Sequence, residues 1–306
     1  MAITKLDISC IWGGTLAGIL LRNESALTRK IGDTMTKIIG IHGWLDNLNS
    51  LLPLAKQLVD RNPNYEIYLY DRAGHGFSSH IPKGFDYSQA HNLQDIRTII
   101  QSLGWHKEKF SIISHSYGAI LGMTYAASYP NEISCLVALD AVPHIENTSQ
   151  NFFEVQGSRI DKSLEFHKKP ARNFELNLTF EKAVELTRVT REGITDEAAR
   201  LLTERSIRLD TKNKIQFTRD EALKIPSLIP FTAEMSKNAI EHMKASILFI
   251  GATNPQWPRA GQTLDYLKEK NPNVSKYLIC NVILLVLLFS YYSLKRCSLM
   301  GHIIFI

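Results

Sequence analysis

The residues best suited to chemistry in this 306-residue chain are Ser114-His115-Ser116-Tyr117-Gly118, set between an apolar run at 110–113 and a helical stretch at 119–128. A serine hydroxyl is a weak nucleophile until its surroundings activate it. A strand-to-helix turn supplies part of that activation. It holds the serine on a strained corner, exposes the hydroxyl, and aims the next N–H from a helix N-terminus at the oxygen that gains charge. Here those parts are the Ser116 hydroxyl and the Tyr117 N–H. The pattern departs from G-x-S-x-G at one place, because Ser114 stands where the first glycine would. A side chain there is expected to crowd the turn and reduce reactivity without loss of fold.

Upstream, IIGIHGWLDN puts His42-Gly43-Trp44 directly after another apolar run. A loop in that position contributes the second oxyanion donor in enzymes built this way, which makes the Trp44 N–H the candidate. The Trp44 indole either lines the pocket or fills the space under a cap. His42 is expected to order the loop by hydrogen bonding and not to serve as base. In YDRAGHGFSSH, residues 70–80, the glycines suit a tight turn. Asp71 and Arg72 are expected to pair as loop scaffolding, and His75 to be a packed or surface histidine.

Those groups need strands to place them. Five short apolar runs, at 37–41, 66–70, 110–113, 135–139 and 246–250, read as buried parallel strands, and each ends at a chemically suggestive residue. Open α/β sheets keep their ligand crevice at that end of the strands. Helical spacing at 52–59, 87–103, 119–128 and 262–270 supplies the crossovers. The first segment, ISCIWGGTLAGILL, predicts an antiparallel hairpin around Gly13-Gly14. From 143 to 241 the alternation gives way to charged helical segments, which predicts a helical cap over the crevice. The expected division is a core of 1–142 and 242–276, a cap of 143–241, and an apolar tail of 277–306.

With HGWLDN, DRAGHGFSSH, SHSYG, LVALDAVP and FTRDEALKIPS in this order over residues 10–276, the chain resembles the serine hydrolase-like proteins of the α/β-hydrolase superfamily. The resemblance implies an α/β-hydrolase fold with an inserted helical cap. It implies a serine nucleophile, no metal and no cofactor, and a small-molecule substrate of the carboxylic ester or related acyl kind. Epoxide hydrolysis and dehalogenation in related folds use an aspartate at the elbow, so Ser116 points away from both. In similar families the triad carboxylate follows the strand after the nucleophile helix or a later strand. Asp140 fits the first place, whereas Asn254 occupies the region of the second. The base is the gap. Similar proteins carry a histidine after a final strand, which VSKY at 274–277 would begin, yet the only histidine beyond it is His302 in an apolar tail. His115 adjoins the nucleophile but is expected to point elsewhere, and His80 and His144 lie near other strand ends. The alternative reading is therefore a non-catalytic hydrolase-fold binding protein.

The remaining features set the context. The formal charge of +5 is dispersed, with no basic stripe or aromatic interleaving, so no nucleic-acid partner is expected. Cys10, Cys135, Cys280 and Cys297 have neither disulfide-framework nor zinc spacing, and Asp7 interrupts any signal-like apolar run. These features point to a reducing compartment and away from secretion. Residues 277–294 carry no charge and are close to the roughly 20 residues that cross a bilayer. They read as a membrane anchor, as an aberrant terminus, or as a buried strand. The expected location is the cytoplasm or an intracellular membrane, facing the cytosol.

Overall fold

The computed structural model describes residues 1–24, 35–146, 151–169, 178–191, 193–252 and 260–279. The chain opens with β1 (Ala2–Lys5), β2 (Ile8–Ser9), β3 (Thr15–Leu16) and β4 (Gly18–Arg22). The expected antiparallel entry is present, with β2 pairing β3 and β1 pairing β4. Next come β5 (Thr36–Ile41), α1 (Leu52–Arg61), β6 (Tyr65–Tyr70), α2 (Gln89–Ser102), β7 (Phe110–His115), α3 (Tyr117–Ser128) and β8 (Ile133–Leu139). After β8 the chain leaves the sheet for α4 (Phe152–Lys168), α5 (Phe180–Thr190), α6 (Asp196–Glu204), β9 (Ile207–Leu209), β10 (Ile215–Phe217) and α7 (Ala233–His242). It returns as β11 (Ser246–Ala252), α8 (Ala260–Lys270) and β12 (Val274–Ile279).

Eight strands form one sheet in the order β1-β4-β6-β5-β7-β8-β11-β12. From β6 to β12 every neighbouring pair is parallel. A strand covered on both faces has no reason to alternate polar and apolar residues, which is why these segments read as continuous apolar runs. The two-residue period survives in where each side chain goes. Ile39, Ile112, Leu136, Ala138, Ile247 and Phe249 join the core beneath α2, α3, α7 and α8, while Ile38, Ile113, Val137, Leu248 and Ile250 join the core on the α1 side. Of the run 277–294, residues 277–279 complete β12 and the rest lies outside the described residues, as do Cys280, Cys297, Asn254 and His302. Among the described residues no helix is long and apolar enough to cross a membrane.

The layer over the strand ends is fastened by polar contacts. Thr179 and Thr195 cap α5 and α6 by accepting from the Lys182 and Ala198 N–H groups. Thr203 on α6 donates to Thr187 on α5 at 2.8 Å. Asn47 and Asn49, in the loop after β5, donate to the Leu202 and Leu201 carbonyls at 2.9 and 2.7 Å. These last two bonds use up C-terminal carbonyls of α6 that the helix itself leaves unpaired.

Candidate active site

Ser116 occupies the turn between β7 and α3 with φ 51° and ψ −124°, in a region that side-chain-bearing residues rarely adopt. The strain is held by bonds on both sides. The Ser116 N–H donates to the Leu139 carbonyl at 2.9 Å, and its carbonyl accepts from the Ala119 N–H at 2.8 Å. The hydroxyl makes no hydrogen bond among the described residues. Gly118 is required by space: a Cβ there would stand 2.3 Å from the Ile41 carbonyl oxygen and 2.6 Å from that of His42. This close approach seats the first turn of α3 against the end of β5.

Ser114, expected to crowd the elbow, is accommodated. It is fully buried in β7 and its hydroxyl donates to the Val137 carbonyl on β8 at 3.2 Å. Gly122 on α3 leaves room for it, since a Cβ at 122 would lie 3.0 Å from the Ser114 Oγ.

The loop after β5 brings up the Trp44 N–H, which has no hydrogen-bond acceptor among the described residues; neither has the Tyr117 N–H. Both rings pack edge to face at 5.3 Å, and the buried Arg72 guanidinium lies 5.3 Å from the Trp44 ring centre and 4.9 Å from that of Tyr117. Arg72 also donates to the Gly43 carbonyl at 3.2 Å and to Asn92 at 3.0 Å. His42 is a scaffold, as its sequence context suggested. Its Nε2 accepts from the Arg72 N–H at 2.9 Å, which leaves Nδ1 to donate to the Gly43 carbonyl at 2.8 Å. His75 is packed in the same manner, accepting from the Leu45 N–H at 3.1 Å and donating to the Ala73 carbonyl at 2.9 Å. Burial, reinforced by the Arg72 cation, holds both imidazoles well below the usual histidine range, so both are neutral.

The expected Asp71–Arg72 pair does not form. Asp71 accepts instead from Arg205 at 2.7 Å, from the Leu48 N–H at 2.9 Å and from the Phe77 N–H at 2.7 Å. Arg205 arrives from 134 residues downstream, just past α6, and ties that segment to the loop after β6. Burial pushes the Asp71 carboxyl up to about 6, against the pull of Arg205 and the two N–H donors.

A cavity of about 120 Å³ opens beside the nucleophile, lined by Gly43, Trp44, Asp46, His115, Ser116, Arg191, Ile194 and Leu202. His115 therefore faces the cavity, contrary to the expectation that it would point elsewhere. It is the last residue of β7, and its ring lies against Gly43. A Cβ at Gly43 would stand 3.2 Å from both the His115 Nδ1 and the Ser116 Cβ, so the two side chains flank one point. The His115 Nδ1 lies 3.9 Å from the Asp46 Oδ2, and an Arg191 nitrogen lies 4.0 Å from the Asp46 Oδ1. Arg191 also donates to the Leu45 carbonyl at 2.5 Å. Asp46 was visible within HGWLDN, but nothing in the sequence marked Arg191, Ile194 or Leu202 as its neighbours. Asp140, at the end of β8, has φ 58° and donates its N–H to the Ile250 carbonyl at 2.8 Å; it is not among the cavity's lining residues. His80 bonds the Thr218 carbonyl. His144 does not line the cavity. Among the described residues no His, Cys, Asp and Glu side chains gather as a metal site would require.

The geometry of an elbow serine at the carboxyl end of a parallel sheet agrees with what known proteins show. The family model described as the alpha/beta hydrolase fold matches residues 37–192. A Danio rerio protein named serine hydrolase-like protein is 28% identical over 217 residues, covering 70% of this chain and 64% of its own length. The Homo sapiens serine hydrolase-like protein 2 is 25% identical over 226 residues, 71% of this chain and 68% of that one. The match thus spans just under two thirds of the Danio rerio relative. A crystal structure of a hypothetical protein from Pseudomonas aeruginosa PAO1 superposes with a TM-score of 0.74 at 26% identity, covering 90% of both chains. On these grounds the chain belongs to the α/β-hydrolase fold family, and its relatives are serine hydrolase-like proteins.

Proposed function

We propose that the chain is a serine hydrolase acting on carboxylic esters or related acyl substrates, with Ser116 as nucleophile. The observation that carries this reading is the strained Ser116 backbone at a helix N-terminus, with its unbonded hydroxyl in the cavity wall. Strain of about 1–3 kcal/mol persists only where the surroundings impose it, and it clusters at reacting groups. Attack of Oγ on the acyl carbon places negative charge on the carbonyl oxygen. The Trp44 and Tyr117 N–H groups are the donors for that oxygen, each of the kind worth roughly 3–4 kcal/mol of barrier. Asp140 is the carboxylate that would orient the histidine of such a triad. The segment 143–241 acts as cap over a core of 1–142 and 242–276. The reading uses no cofactor and places the protein in the cytoplasm or on an intracellular membrane facing the cytosol.

The described walls favour a short acyl group, since about 120 Å³ is comparable to a cavity that admits a benzene ring. Trp44, Ile194 and Leu202 supply its apolar surface. Incubation with a fluorophosphonate tests the reading. Labelling of the native chain that is lost in Ser116→Ala supports it; labelling that survives in Ser116→Ala, or ligand binding with no labelling and no turnover, refutes it.

A further inference from the structure

Among its described lining residues the cavity beside Ser116 has apolar walls at Trp44, Ile194 and Leu202 and one permanent cation, Arg191. Resting on the Ser116 reading above, we propose that Arg191 selects substrates whose acyl group carries a second carboxylate, the monoesters of short dicarboxylic acids, by pairing with that carboxylate inside the cavity. The guanidinium is fixed and only partly used. Its Nη2 donates to the Leu45 carbonyl at 2.5 Å and stands 4.0 Å from the Asp46 Oδ1, while Nε and Nη1 have no acceptor among the described residues. A planar guanidinium offers a carboxylate two parallel N–H groups, and a backbone carbonyl that holds one nitrogen pre-orders the others. Asp46 does not use up this charge. At 4.0 Å it is beyond hydrogen-bond reach of Arg191, its Oδ1 accepts from the Asn47 N–H at 3.0 Å, and its Oδ2 faces the His115 Nδ1 at 3.9 Å. The side chain of Asp46 is 11% exposed against 29% for Arg191, so the cation is the more open of the two charges. His115 adds a second unused polar atom to the same wall, since its Nδ1 is buried without a hydrogen-bond partner among the described residues. Arg219, with Glu221 as its own counter-charge, lies near enough to Arg191 for the two cations to oppose one another, which an anion at Arg191 would ease.

Size fits the same class. Ser116 and Arg191 share a cavity of about 120 Å³, so an acyl group bonded to Oγ carries its carboxylate to the guanidinium over a short carbon chain. An uncharged acyl group of equal length would strip water from Nε and Nη1 and give them no acceptor in return, and this loss is the physical basis of the selection. Hydrolysis of such a monoester consumes water, breaks the ester C–O bond, and releases the alcohol and the dicarboxylate. Arg191 grips the substrate away from the bond that breaks and is a specificity residue.

The test is binding to the full chain carrying Ser116→Ala, in which nothing is turned over, read by titration calorimetry. The probe is the monomethyl ester of glutaric acid, and the control is methyl glutaramate, its uncharged amide of the same shape. The acid is expected to bind about 10- to 100-fold more tightly than the amide, the range of a charge-assisted hydrogen bond. The preference is expected to shrink at high salt, because Arg191 is partly open to water. Adding Arg191→Met is expected to erase it and Arg191→Lys to keep part of it, while the amide binds alike to all three chains. A structural role for Arg191 would weaken both probes together. Thermal unfolding of each variant identifies a chain that has lost its fold, and the comparison of acid with amide on Ser116→Ala alone decides the matter in that case. The inference is overturned if acid and amide bind Ser116→Ala equally, if neither binds, or if the preference survives in a folded Arg191→Met chain. Fluorophosphonate labelling of the native chain tests the hydrolase reading independently. Labelling with no preference for the acid overturns the substrate class alone, and a preference without labelling overturns the hydrolase reading alone.

Discussion

Two segments meet at the cavity and are built on opposite terms. In the loop of residues 42–47 nearly every polar group is committed: His42, the Gly43 carbonyl, both backbone groups of Leu45 and the Asn47 amide are all hydrogen-bonded. At the end of β7 the Ser116 hydroxyl and the His115 Nδ1 are uncommitted among the described residues. Buried polar atoms without partners cost free energy, so proteins seldom leave them idle. The contrast teaches that the first segment is built to hold the Trp44 N–H still, while the second leaves the hydroxyl of the proposed nucleophile free.

The comparison breaks most easily at Arg205. Changing Arg205→Met leaves the Asp71 carboxylate buried without its cation, and is expected to cost about 3–5 kcal/mol by urea unfolding at pH 8. Because Arg205 draws the Asp71 carboxyl down, its loss raises that carboxyl further, so the deficit should shrink as the pH falls toward 4. An equal deficit at pH 8 and pH 5 would show that the pair is not the fastening described.

Next in size is Gly118→Ala, which drives a methyl into the Ile41 and His42 carbonyls and is expected to destabilise by about 1–3 kcal/mol. Since the same contact seats α3 against the loop, labelling of Ser116 should fall with it. Stability without loss of labelling, or the reverse, would separate the two segments.

The committed histidines predict an acid sensitivity. The unfolded chain protonates His42 and His75 near pH 6.5 while the folded chain keeps them neutral, so each removes stability as the pH falls below that value. Asp71 works the other way. With its carboxyl pushed up to about 6, the folded chain holds that proton first, and this term adds stability on acidification between about pH 6 and pH 4. Together the three groups give a net uptake of about one proton on unfolding near pH 5.5, a slope of about 1.4 kcal/mol per pH unit. Unfolding free energies measured from pH 7 to 5 check it, and a flat profile would mean that the two imbedded imidazoles are not neutral.

The smallest effect is expected at Ser114→Gly, which loses the bond to Val137 and a buried hydroxyl, for about 1 kcal/mol in thermal unfolding and less than a threefold change in labelling. A large gain in labelling would mean that Ser114 does strain the elbow.

The sheet was legible because burial on both faces leaves an unbroken apolar signature, and each of the five predicted runs lies inside an observed parallel strand. The turn at Ser116 was legible because an apolar run ends just before it and helical spacing follows just after. His115 was misread: it closes β7, and its ring lies against Gly43, a contact between segments far apart in the chain. The partner of Asp71 was out of reach for a different reason. Arg205 lies 134 residues away, and no local pattern encodes a contact at that separation. Arg191, Ile194 and Leu202 share this character, coming to the cavity from the distant segment of α5 and α6.

The Asp71–Arg205 tie also bears on how such a protein can be rebuilt. A segment grafted between β8 and β11 from another member of the fold would be accepted only if it carried a cation to the spot that Arg205 takes just past α6. Asp71 keeps a negative charge on offer at that spot, and so works as a keyed socket that admits some segments and rejects others.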